Sequence, residues 1–232
     1  MFFSRRCFSV LATSLVATVA VAAPAFNPLI PVNLRIEGET KTIFEGVVLT
    51  RGHNVTTASG GTHPCNGLNL GANPHPGATC TSALADAGKK AGFTFDGTFQ
   101  SEFDDFFITS IGGDTQTSTQ FWGILNNFQF TPVGGCQQEV TSSDQVLFAF
   151  DAFSKTHFLK LSGPATTRAG HPTAFTVLDG MTGAPVAGAS VHGETSAADG
   201  TVEVTFVAPG KKSLKASKSD SIRSNAVNVV VL

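Results

Sequence analysis

The chain has 232 residues, only 14% of them charged, and a formal net charge of −2. That mild acidic balance, with no cluster of Lys and Arg, argues against nucleic acid and anionic membrane surfaces as partners. Few charges with 24 Gly and abundant Ser and Thr fit an extracellular β-rich chain with many turns, whereas the 20 Phe against one Trp and no Tyr have no physical account.

The first segment, Met1 to Arg6, is short and basic, and an apolar run from Cys7 to Val21 follows it. The run closes on Ala20-Val21-Ala22, with small residues at the −3 and −1 positions of a cleavage site. This is the tripartite pattern of a signal peptide over residues 1–22, cut after Ala22 because a later cut would place Pro24 at +1. The run is shorter than the roughly 20 apolar residues of a comfortable membrane span. Removing Arg5 and Arg6 leaves thirteen basic residues against seventeen acidic ones. At the other end, Asn225 to Leu232 alternates like a final strand and is shorter than the tail of about 10–20 residues that a GPI signal needs. The expectation is a secreted, extracellular protein with no transmembrane segment and no GPI anchor.

Residues 23–31 read as a flexible leader. Val32–Glu37 alternates apolar and polar residues as a half-buried strand does, and Thr42–Leu49 reads as its hairpin partner. Residues 50–80 are dominated by Gly, Thr, Asn, Pro and His, and read as a long, stapled or functional loop. Thr81 to Ala91 is the one good helix candidate, capped by Thr81 or Ser82, carrying Lys89 and Lys90 near its end and stopped by Gly92. Strands are expected at Phe93–Phe99, Phe106–Ile111, Phe121–Phe128 and Gln145–Phe150, and His157–Ser162 is either a last strand or a linker. One helix across a mixed sheet is an α+β layer arrangement. Beyond Gly163, short strands at Thr173–Leu178, Ala189–His192, Thr201–Val207, Ser213–Ala216 and Ala226–Leu232 alternate with Asp179-Gly180, Asp199-Gly200 and Pro209-Gly210 turns. That spacing points to a small sandwich. The fold class is therefore mainly β, with an α+β domain over 32–162 and a β-sandwich over 163–232.

Cys7 leaves with the signal peptide, so Cys65, Cys80 and Cys136 remain, and an oxidising compartment should pair two of them. Cys65–Cys80 closes the shorter loop, whereas Cys65–Cys136 constrains the unfolded chain more; both stay open. Asn54-Val55-Thr56 is an N-glycosylation sequon and would put its loop on the surface.

Several stretches resemble known families. Val32 to Leu161 resembles the DUF4430 domain, also found at the C-terminal end of transcobalamins. The pieces that carry the likeness are Val32 to Gly38, Gly92 to Gly97, Phe103 to Ile108, Phe121 to Asn127, Val133 to Cys136 and Asp144 to Phe150. The resemblance implies a β-grasp-like fold. Gly170 to Leu232 resembles an Ig-like domain of the bacterial Big type, through Gly183 to Ala189, Ala198 to Thr201 and Ser224 to Val227. The pairing is similar to secreted proteins of filamentous fungi and actinobacteria. Transcobalamins bind cobalamin between this domain and a helical barrel; no such barrel is encoded here, and no cofactor is expected.

Candidate site residues are few. Glu102, Asp104 and Asp105 bring carboxylates together for metal binding or acid–base work, but adjacent residues on a strand point to opposite faces, and no calcium-loop spacing accompanies them. A solvated loop with one Asp capping the next strand is the better account. Trp122, with Asn126 and Asn127, offers a ring to stack on a sugar and amides to bond it; the competing reading places Trp122 in the core. His53, His63, His75, His157, His171 and His192 are scattered. His63-Pro64-Cys65 lacks companion zinc spacing, and neither a nucleophile elbow nor a phosphate loop is present. No catalytic or metal residue is assigned. The expected function is a non-enzymatic module bound to a cell surface, cell wall or matrix, with a wall polysaccharide or surface protein as partner; the alternative is a freely secreted effector or elicitor. Such a fold says little about activity.

Overall fold

The computed structural model describes residues 26–232; the expected signal peptide over 1–22, its expected cleavage site and Cys7 lie outside the described residues. In chain order, the first ten strands are β1 (Ile30–Glu37), β2 (Thr42–Thr50), β3 (His53–Thr57), β4 (Gly61–Cys65), β5 (Phe95–Gln100), β6 (Asp105–Ile111), β7 (Asp114–Thr115), β8 (Trp122–Asn126), β9 (Gln129–Phe130) and β10 (Gln145–Phe150), with helix α1 (Cys80–Ala91) between β4 and β5.

Strand β1 pairs antiparallel with β2 and parallel with β10, giving a five-stranded sheet in the order β2-β1-β10-β8-β9. A hairpin, a crossing helix and a late strand inserted parallel to the first make this a β-grasp-like arrangement. Period-two alternation decides what each face meets. Val32, Leu34 and Ile36 of β1 and Val146, Phe148 and Phe150 of β10 point toward α1 and its buried Ala83, Leu84 and Ala87. Wholly buried Leu84 alone contributes about 1.5–3 kcal/mol by leaving water. The opposite face carries Asn33, Arg35 and Glu37 beside Gln145, Leu147 and Ala149.

The helix is set by its ends. Thr79, rather than Thr81 or Ser82, is the N-cap: its hydroxyl accepts from Ser82 N at 3.1 Å, and Ser82 Oγ accepts from Thr79 N at 2.9 Å. A Ser in place of the usual Glu completes this capping box. Gly92 closes the helix at φ 77°, a left-handed conformation that glycine adopts without penalty.

The expected loop over 50–80 is partly regular. Its first half is the β3–β4 hairpin, and a disulfide joins Cys65 to Cys136, leaving Cys80 buried and free. Two amides order the second half. Asn69 Nδ2 donates to the Pro64 and Asp104 carbonyls, and Asn73 Nδ2 to those of Gly67 and Gln137, all within 2.8–2.9 Å. The sequon Asn54 is exposed, but on strand β3 rather than in a loop. The expected strand over 121–128 splits into β8 and β9 around a two-residue turn at Asn127-Phe128.

The remaining strands are β11 (His157–Ser162), β12 (Thr166–Thr167), β13 (Pro172–Asp179), β14 (Ser190–Val191), β15 (Glu194–Thr195), β16 (Thr201–Thr205), β17 (Gly210–Leu214), β18 (Ala216–Ser217), β19 (Ser221–Ile222) and β20 (Val227–Val231). They form sheets β16-β13-β11-β19, β12-β20-β17 and β15-β14-β18, packed on a core that includes Leu159, Phe175, Val177, Val204, Phe206 and Val229. His157–Ser162 pairs with β13 and β19. It is thus the first strand of the sandwich, and a division at 162/163 would cut it from its own sheet. Lys215 interrupts the expected strand over 213–216, parting β17 from β18.

The sandwich packs onto the second face of the β-grasp sheet. Leu125, Phe128, Leu147, Ala149 and Ala152 meet Phe158, Ile222 and Met181. Gly180 lies so close to Phe128 that a Cβ there would overlap the ring.

Candidate functional site

Trp122 is 6% exposed, donates its indole N–H to the Asp114 carbonyl at 3.3 Å and stands edge-on to Phe150 at 5.4 Å. Its faces are enclosed by the core, so it has no face to stack on a sugar. The neighbouring amides are equally committed. Asn127 Nδ2 donates to Asp144 at 2.7 Å and Asn126 Nδ2 at 3.3 Å, while Asn127 Oδ1 accepts from Gln145 N at 3.0 Å. Burial pushes the Asp144 carboxyl up, but the Thr141 N–H and these two amides together hold it below the usual range. The expected Trp122–Asn126–Asn127 ligand contact is thus a structural clamp on the loop that leads into β10.

The acidic cluster is likewise divided. Asp105 is buried, accepting from Phe106 N at 2.7 Å, Cys136 N at 2.9 Å and Gln137 N at 3.3 Å. Burial pushes its carboxyl up to about 6, against the pull of those three N–H groups. Asp104 sits at φ 48° and accepts from Leu70 N at 3.0 Å, and Glu102 is exposed. The histidines are apart: His53 meets Asp86 at 3.1 Å, His157 meets Asp179 at 2.8 Å, and His63 stacks on Phe99 at 3.4 Å. The Asp86 hydrogen bond raises the His53 pKa, against burial. Among the described residues no three His, Cys, Asp or Glu side chains gather into a metal site. Burial pushes the Cys80 thiol far up, which makes it a poor nucleophile.

What the structure assembles instead lies between the two domains. Glu37, 1% exposed, accepts from Lys215 Nζ at 2.5 Å, Arg223 Nε at 2.9 Å and Thr42 Oγ1 at 2.9 Å. Glu45, opposite Arg35 across the β1–β2 ladder, accepts from Lys215 at 2.8 Å and from Ala226 N at 2.7 Å. Arg223 also donates to the Gly38 and Glu39 carbonyls. All four carboxylate oxygens have donors, and the three Lys215 N–H bonds are accounted for by Glu37, Glu45 and Thr42 at 2.7 Å.

Beside this network runs a groove of about 660 Å³. Leu147 and Phe128 give it an apolar floor; Asn33, Gln145, Ser213 and Asn228 line its walls. Those four polar residues are exposed, and among the described residues their side chains make no hydrogen bond within the chain. Phe128 is held at φ 61°, an outlier for a bulky residue. Its ring faces the Arg35 guanidinium at 5.6 Å and the Lys160 ammonium at 5.9 Å. Strain of this kind persists only where the surroundings over-determine it, and it clusters at functional sites. A second depression of about 920 Å³ opens beyond Arg223, but Lys155 and Lys218 there are already paired with Asp151 and Asp220.

None of these groove residues was singled out from sequence. The available signal was the polar set Asn33, Arg35 and Glu37 on β1, which alternation alone assigns to solvent.

No family profile and no curated protein matches the chain. Among solved structures it is similar to a haptocorrin, in a crystal structure of haptocorrin in complex with Cbi, at 17% identity and a TM-score of 0.36. The match covers 54% of this chain and 25% of that one, so the chain spans a quarter of the length of the structure it matches.

Proposed function

We propose that the chain is a secreted, non-enzymatic binding module of a cell surface, cell wall or matrix, which seats its ligand in the groove between its two domains. One observation carries the reading: uncommitted amide and hydroxyl groups of Asn33, Gln145, Ser213 and Asn228 surround an apolar floor. Elsewhere, Asp104, Asp105, Asn126 and Asn127, which sequence offered as candidates, are tied to backbone or to Asp144. Binding sites favour such concave, mostly preformed clefts at domain interfaces, with a few polar groups to orient the ligand. The family resemblance read from Val32 to Leu161 agrees with a binding rather than a catalytic part, by analogy only.

The test uses residues 23–232 and insoluble wall polysaccharide. Retention in the pellet is expected, and Ser213→Trp, which fills the groove from the exposed face of β17, should release the protein to the supernatant. Wild-type protein that stays wholly in the supernatant would overturn the surface-bound reading. Retention that Ser213→Trp leaves unchanged would overturn the groove.

A further inference from the structure

Arg35 is the least satisfied member of the interdomain network. It is 7% exposed and lines the groove. Its Nη1 donates to the Arg223 carbonyl at 2.9 Å, and its Nε stands 3.9 Å from Glu37, too far for a hydrogen bond. A guanidinium has five N–H donors, and among the described residues only that one hydrogen bond from Arg35 is formed. The unbonded Arg35 nitrogens keep solvent contact, and Arg35 lines the groove. Charge points the same way: among the described residues Arg35, Lys215 and Arg223 form ion pairs only with Glu37 and Glu45, which leaves one cation in excess. Lys160 adds a second positive group over the Phe128 ring, at 5.9 Å.

A buried guanidinium with free donors, in a network one negative charge short, calls for a carboxylate, which its planar fork matches. The surrounding amides and Ser213 hydroxyl each donate and accept, as the hydroxyls of a sugar ring require. We propose that the groove binds a sugar acid, with its carboxylate on Arg35 and its hydroxyls on Asn33, Gln145, Asn228 and Ser213. This rests on the groove reading above and narrows it to acidic saccharides.

The test is calorimetric titration of residues 23–232 with tri-galacturonate, its methyl ester, free galacturonate and neutral maltotriose. Changing the ligand leaves the protein intact, so folding cannot confound the result. The acid should bind at least tenfold more tightly than the ester or maltotriose, its affinity should fall with added salt, and Ser213→Trp should abolish it. Arg35→Lys, which keeps the charge but loses the fork, should weaken the acid tenfold or more and leave the ester unchanged. Equal binding of the free sugar acid would assign recognition to a single residue; binding by the trimer alone would assign it to a chain. Both outcomes keep the inference. If acid and ester bind alike and Ser213→Trp abolishes both, the carboxylate is overturned and the groove stands. Acid binding that survives Ser213→Trp overturns the groove itself. No binding of either acid overturns the sugar-acid inference.

Discussion

Glu37→Gln is the sharpest perturbation of the domain junction. The side chain keeps its shape, but a 1%-exposed carboxylate that meets Lys215, Arg223 and Thr42 loses its charge. Three cations, Arg35, Lys215 and Arg223, would then share Glu45 alone. An amide also turns N–H donors toward an ammonium or a guanidinium that has nothing to accept with. Removing one partner of a buried ion pair costs about 3–5 kcal/mol, because the other charges stay behind uncompensated. A chain of this size has roughly 5–15 kcal/mol of total stability, and each kcal/mol moves its Tm by roughly 2–4 °C. Glu37→Gln should therefore lower Tm by roughly 6–20 °C, an estimate that follows directly from those two ranges. Scanning calorimetry of residues 23–232 should also resolve two transitions where the wild type gives one, since the network spans both domains. The exposed Glu203→Gln serves as control and should stay within about 0.5 kcal/mol. A cycle with Lys215→Met should return a coupling of about 0.5–3 kcal/mol. A loss below about 1 kcal/mol, as for a solvent-exposed pair, would refute the view that burial makes this network matter.

Three further outcomes are expected. Asp105 has a folded pKa of about 6 above an unfolded value near 3.9, so the native state binds more protons in between; stability should fall as pH rises from about 4 to about 6 and then level off. Urea midpoints across that range check this, and Asp105→Asn should remove the slope while losing about 1–3 kcal/mol where its amide meets a backbone N–H. Reduction, or Cys136→Ser, opens a disulfide spanning 71 residues and should cost about 4 kcal/mol on chain-entropy grounds; Cys80 should react with a thiol reagent only after unfolding. Gly180→Val should drive a side chain into the Phe128 ring and cost about 1–3 kcal/mol through overpacking, read by chemical denaturation.

Most of the β-grasp sheet was legible because its signals are local. Alternation marked β1, Gly92 marked the helix end, and regular Gly turns marked the sandwich. Most of the misses share a cause: a partner distant in sequence decided them. The helix cap is the exception, because Thr79 rather than Thr81 caps α1 through a local box closed by Ser82 at N3. The loop over 50–80 is ordered by amides that reach Asp104 and Gln137, more than thirty residues away. His157–Ser162 belongs to the sandwich because its ladder partner is β13. Trp122 looked like a ligand ring beside two free amides, but Asp144, eighteen residues beyond Asn126, already holds both.

The groove illustrates the deeper limit. A strand that alternates apolar and polar residues is ordinarily read as one face in the core and one in water. In β1 both faces are buried: Val32, Leu34 and Ile36 against the helix, Arg35 and Glu37 against the sandwich. The second burial depends on Lys215 and Arg223, almost two hundred residues downstream, so no window of sequence contains it. Yet that polar burial determines how the domains meet. Apolar contacts through Phe128, Phe158 and Ile222 are non-directional and tolerate sliding, whereas Glu37 accepts from Thr42 on its own sheet and from Lys215 and Arg223 across the junction. A junction fixed by charge at one end leaves the Asn33–Gln145 end of the sheet uncovered. The open end is the groove, and Arg35 lies on the boundary between the two. The residue that is incompletely satisfied as a structural ion is therefore the one placed to meet a ligand.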